Sequence, residues 1–95
     1  MSSQREEGKM KFQGSVIREQ GIAFAIVIVK KQVIDNRSEA ENAIRTFMPV
    51  FPSLPIILMA QDSRGGPTYF GRPDIAKLMA QVPIHAVPWK EYTIS

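Results

Sequence analysis

The stretch QDSRGGPTYFGRPD, residues 61–74, gathers the side chains of this sequence best suited to chemistry. Arg64 and Arg72 carry guanidinium groups of the kind that grip phosphate or carboxylate through two parallel bonds. Gly65 and Gly66 let the backbone approach a ligand closely or adopt positive φ. Pro73 suits a first helical turn, and a helix start turns unpaired amides toward an anion. Asp62, Ser63, Arg64, Gly65, Gly66, Tyr69 and Arg72 therefore form the candidate ligand site, and a small anion such as phosphate or a nucleotide is its candidate ligand. The same residues have a plainer meaning. Asp62 and Asp74 are placed to neutralise the two arginines, and glycine with proline is ordinary turn chemistry. Neither GxxxxGK[ST] nor GxGxxG is present.

Three residues are candidate neighbours of that site: Asp35, Trp89 and Lys90. Open α/β sheets bind ligands beyond the carboxyl ends of their parallel strands, and each of these residues is expected to leave such an end. Asp35 and Asp62 end successive strands in this reading, and two acids brought together would raise the pKa of one. A metal on oxygen ligands needs more than two such groups, so no metal is expected. Trp89 reads first as an anchor at a strand end, and Lys90 as a solvated amine. His85 is the sole histidine. Near the start of a last strand, it should face the sheet edge opposite Asp62 and Ser63. A strand rises about 3.3 Å per residue, which puts a Ser63–His85 hydrolytic pair out of reach.

The elements that would position these groups follow from periodicity. Residues 1–10 have no pattern and are expected to be a disordered tail, leaving 11–95 as one domain. KFQGSVIR, residues 11–18, is a weak strand, and EQG supplies a turn whose glycine can take positive φ. IAFAIVIVKKQVI, residues 22–34, is rich in β-branched side chains and reads as the other arm of a hairpin. Ser38 and Glu41 stand at capping-box spacing before a helix whose apolar stripe is Ala40, Ala43, Ile44, Phe47 and Met48. Pro49 ends it. PIILMA, residues 55–60, is a buried strand, and Ile75, Leu78, Met79 and Val82 give a second amphipathic helix. IHAVPWKEY, residues 84–92, reads as the final strand, ending near Pro88.

The order β-β-α-β-α-β predicts a single small α/β domain. Its sheet would have four strands, three parallel and one antiparallel hairpin arm, with two helices. The residue 22–29 and 55–60 runs are apolar at odd and even positions alike, so both faces of those strands need cover. If both helices lie on one side, the other face is bare, and a second copy is the usual cover. A homodimer is the favoured expectation on that ground.

Composition narrows the function classes. Ninety-five residues make one compact domain with a thin core. With no cysteine there is no disulfide, thiol catalysis or Cys-based zinc site, and a reducing compartment such as the cytoplasm is the expected location. The longest apolar run falls well short of the ~20 residues that span a bilayer, so no membrane partner is expected. The net charge of +3 is spread without aromatic interleaving, which argues against nucleic acid. No complete nucleophile, acid–base or metal constellation is present, so an enzyme is not favoured and no cofactor is expected. The leading expectation is a non-catalytic interaction or structural module that self-associates and contacts a partner protein through residues 61–74. The alternative is a binder of a small anion at residues 62–73, and an enzyme of unassigned reaction comes third.

Overall fold

The computed structural model describes residues 10–94. The tail expected over residues 1–10 therefore lies outside the described residues except for Met10, which opens the first strand. Among the described residues, five strands, not four, form one mixed sheet in the order β4-β3-β2-β1-β5. Three α-helices, not two, and one 3-10 turn in the same residues cover it.

β1 (Met10–Glu19) and β2 (Ile22–Ile28) make the expected hairpin, in register from Glu19↔Ile22 to Gly14↔Val27. The two loop residues, Gln20 and Gly21, have φ of 50° and 80°. This is the primed geometry that matches the twist of the strands and prefers Asn-Gly. Gln20 is an ordinary L-residue held in the left-handed region. Gln20→Asn should stabilise the fold by about 0.5–1 kcal/mol, read as a higher urea midpoint at unchanged m-value.

Phe24, Ala25, Ile26 and Val27 of β2 are fully buried, as a strand covered on both faces requires. The expected continuation of this strand to residue 34 is corrected by a short helix, α1 (Lys31–Asp35). Val29, Val33 and Ile34 all pack on the same helix-covered face, a spacing that suits a helical turn. A Lys31–Asp35 ion pair of 2.8 Å spans that turn.

Helix α2 (Arg37–Phe47) matches the expected helix, but its cap lies two residues earlier than Ser38. Asn36 is extended, and its Oδ1 accepts from the Glu39 amide at 3.1 Å. Ser38 is thus inside the first turn, and Glu41 pairs with Arg37 at 3.3 Å instead of completing a box. The helix ends before Pro49, as its missing donor dictates.

β3 (Ile56–Gln61) lies parallel to β2, with Ala25↔Ile56 through Ile28↔Met59 in register. The long loop expected after it is instead a β-hairpin. β4 (Pro67–Phe70) folds back antiparallel on β3 and closes one sheet edge. Helix α3 (Pro73–Met79) follows, and the chain then makes a 3-10 turn at Ile84–Ala86. β5 (Lys90–Ile94) crosses to the far side of the sheet and pairs antiparallel with β1. The final strand is therefore not a third parallel neighbour; among the described residues β2 and β3 are the only parallel pair.

Helices α1 and α2 cover one face, packing on Phe12, Ala25, Val27, Ile56 and Leu58. Helix α3 covers the other, with Ile75 and Met79 set against Phe24, Ile26, Ile57 and Met59. Both faces are filled, so the bare apolar face on which the dimer expectation rested is covered within the chain. Among the described residues, no helix is long and apolar enough to cross a membrane.

Candidate functional site

The expected site at residues 61–74 is divided by the β3–β4 hairpin. Asp62 turns inward on its own loop: its Oδ1 accepts from the amides of Arg64 (2.9 Å) and Gly66 (2.8 Å). The Asp62 backbone is used as well, donating to Gly66 and accepting from Gly65, both at 2.9 Å. Gly65 takes φ of 83°, as a three-residue hairpin loop with a bulge demands. Asp62 and Gly65 are thus turn-forming residues, and Ser63 and Arg64 sit exposed on the tip.

Arg72 lies elsewhere. Gly71, just before it, abuts Ile56 and Ile57 at the start of β3, whereas the hairpin tip follows Gln61 at its end. Arg64 and Arg72 are separated by the length of a strand, at about 3.3 Å per residue, and cannot close on one small anion. Arg72 is also engaged, donating from Nε and Nη2 to the two carboxylate oxygens of Asp74 at 3.2 and 2.8 Å. Those bonds hold the Asp74 carboxyl below its usual range. The acid beside each arginine thus does what charge pairing or turn geometry asks of it.

Tyr69 lies on β4 under α3, its hydroxyl buried with no hydrogen-bond partner among the described residues, and burial raises its phenol pKa. Asp35 closes the ion pair of α1. Trp89 is an anchor, donating from Nε1 to the Ile84 carbonyl at 3.1 Å. Lys90 stands opposite Gly14 where β5 begins. Trp89 and Lys90, at the β5 edge of the sheet, stand apart from the hairpin at its β4 edge, whereas the helix that carries Asp35 packs on β3 and β4. His85 corrects the expectation in the other direction. It belongs to the 3-10 turn, not to a strand, and lines a cavity of about 490 Å³ with Gln61, Gly65, Pro67 and Tyr69. It is therefore beside the hairpin, not at the opposite sheet edge, because the chain returns along α3 before it crosses to β5.

The feature that sequence reasoning missed is the offset pairing of β1. On one side β2 accompanies it from Gly14 to Glu19; on the other β5 accompanies it only from Met10 to Gly14. Among the described residues, part of each flank has no paired strand. The outer gap runs along residues 16–19, since at Ser15 the buried hydroxyl donates to the Pro88 carbonyl at 3.2 Å, and backbone parity decides which groups face it. The Ala25 amide donates away from β1, to Pro55 at 2.9 Å. Its partner across the ladder, Val16, is therefore in a non-hydrogen-bonded pair and points its N–H and C=O outward. Arg18, opposite Ala23, does the same two residues on. Neither finds another backbone partner among the described residues.

A groove of about 450 Å³ flanks this edge on the α3 side, with Ile17, Leu78, Val82 and Val87 among its lining residues. Val16 projects to the other face and is 39% exposed. Arg18 is exposed and forms no ion pair among the described residues. A second groove, about 620 Å³ with Phe12, Val29, Val33, Ala43 and Phe47 in its walls, lies beyond the carboxyl end of β2 beside the inner vacancy. The only sequence signal for either was the mismatch between a long first strand and a last strand interrupted by Pro88.

Comparison of the chain with protein-family models, with curated proteins and with solved structures finds no match.

Proposed function

We propose that the protein is a non-catalytic interaction module that takes up an extended segment of a partner protein as an added antiparallel strand along residues 16–19 of β1. The observation that supports this reading is the pair of outward peptide groups at Val16 and Arg18, unpaired among the described residues, in line with β5 and beside a groove with Ile17, Leu78, Val82 and Val87 among its lining residues. Strand addition takes affinity from main-chain bonds and specificity from alternate side-chain pockets, and this edge offers both. The other outer edges carry the features that discourage pairing: β4 is four residues long and begins at Pro67, and β5 exposes Lys90 and Glu91. The hairpin at residues 61–67 is a weaker candidate for the partner contact, because Asp62 is spent on its own turn.

A second copy of the chain fits this edge less well than an isolated segment. Pairing Val16 with Arg18 of a second copy sets Gln20 of that copy level with Gly14, where Lys90 already fills the lane. Shifting the register by two residues relieves that overlap but opposes Arg18 to Arg18 of the second copy, and like charges directly opposed are destabilising.

Amide hydrogen exchange tests the reading with capped octapeptides of alternating valine and threonine. In the free protein the Val16 and Arg18 amides should exchange fast, while those of Ile17 and Glu19, bonded to β2, are protected. Bound peptide should slow Val16 and Arg18. Val16→Pro, tolerable on an edge, should abolish that binding. Peptide binding that leaves both amides fast would overturn strand addition here.

A further inference from the structure

The side chains around the vacant edge specify what the added strand must carry, and the inference rests on the strand-addition reading above. An antiparallel segment runs from the level of Glu19 to that of Val16. Its four residues stand in turn opposite Glu19, Arg18, Ile17 and Val16. Side chains alternate between faces, so the residues opposite Glu19 and Ile17 share the α3 face and the other two share the α1–α2 face.

Each of those four positions has a distinct demand. Opposite Ile17, the incoming side chain meets the groove bordered by Leu78, Val82 and Val87, which asks for an apolar group. Opposite Val16, it meets a β-branched side chain 39% exposed, which asks for another. Opposite Arg18, it meets a guanidinium with no carboxylate partner among the described residues, which asks for an acid. Opposite Glu19, also unpaired among those residues, it meets a carboxylate, which asks for a base. We infer that the partner segment is an extended protein sequence reading base–acid–apolar–apolar from its amino end, of the type Lys-Glu-Ile-Val. The arrangement has direction built into it. A segment running the other way would set an apolar residue against Glu19 and a base against Val16.

Two capped octapeptides, identical except for Lys-Glu-Ile-Val or Glu-Lys-Ile-Val at the carboxyl end, so that nothing runs on past Val16 toward Lys90, test this by fluorescence anisotropy at low salt. The protein should bind the first roughly five- to tenfold more tightly, the sum of two cross-strand charge pairs changing sign. Arg18→Glu, an exposed position whose replacement leaves the core untouched, should reduce or invert that preference. Its fold is checked by far-UV circular dichroism. Equal affinity for the two peptides, with slowed Val16 and Arg18 amides, would overturn the charge rule while leaving strand addition standing. Binding of either peptide without slowing those amides would overturn strand addition itself.

Discussion

Phe12→Ala should destabilise the domain by about 3–5 kcal/mol, the cost of emptying a buried aromatic site. Phe12 is only 8% exposed and is the hub of an aromatic cluster. Its ring centroid lies 4.6 Å from that of Phe47 on α2 and 5.2 Å from that of Tyr92 on β5, against which it stacks nearly parallel. Phe51, in the segment before β3, meets it edge-on at 6.2 Å. One side chain thus ties the first strand to the last and both to the helix layer, and aromatic pairs add to the area term. A domain of this size has a total stability of about 5–15 kcal/mol, so the variant loses a large part of it. Guanidinium unfolding should show the midpoint falling steeply. Each kcal/mol lost lowers Tm by about 4–8 °C in a chain of this length. Phe12→Leu, which keeps most of the volume, should recover much of the loss. A Phe12→Ala midpoint within 1 kcal/mol of the parent would mean that the cluster is not the tie described.

Gly71→Ala should cost about 2–4 kcal/mol, from two causes acting together. The φ of Gly71 is 153°, outside the range that L-residues readily adopt. A methyl group there would overlap the Ile57 Cδ1 and stand 3.1 Å from the Ile56 carbonyl oxygen. The glycine sits where the chain leaves β4 and crosses the start of β3 to enter α3, so the backbone is held, and relief must come from the end of the Ile57 side chain, which is itself fully buried in the core. Gly65 provides the comparison. It also has positive φ, 83°, but nothing lies within 4 Å of an added Cβ. Gly65→Ala should therefore cost about 1–2 kcal/mol, the backbone term alone. Urea unfolding of the two variants side by side separates crowding from strain. Equal losses would show that Ile57 yields to the methyl group.

The elements most legible in the sequence were those whose signal is local. The stripe Ala40, Ala43, Ile44, Phe47 locates α2 within two residues at either end, and Glu19 to Gly21 locates the first turn. The cap was misplaced because two overlapping solutions exist, Asn36 with Glu39 and Ser38 with Glu41. The end of α1 at Asp35 selects the first. β4 was invisible because Pro67 to Phe70, framed by glycines, has loop composition; only its pairing with β3 makes it a strand. The last strand was misplaced for a related reason. Pro88 brings no amide to a ladder, so pairing starts beyond it, at Lys90. The candidate site suffered most, because its residues were grouped by nearness in sequence. Arg64 and Arg72 are eight positions apart in the chain and end up at opposite ends of one strand. The edge of β1 is barely legible, with Pro88 as its one local sign, since its gap is defined by where two other strands stop.

The stagger of β1 between β2 and β5 also orders the assembly of the domain. The β1–β2 hairpin closes through a two-residue turn and can form as soon as both arms are available. The upper half of β1 pairs with residues near the other end of the chain, Met10 opposite Ile94. Closing so long a loop carries an entropic cost that must be met before the contact rewards it. One strand therefore joins the cheapest closure in the sheet to the costliest, its later residues meeting β2 across two residues and its first five meeting β5 across nearly the whole described chain.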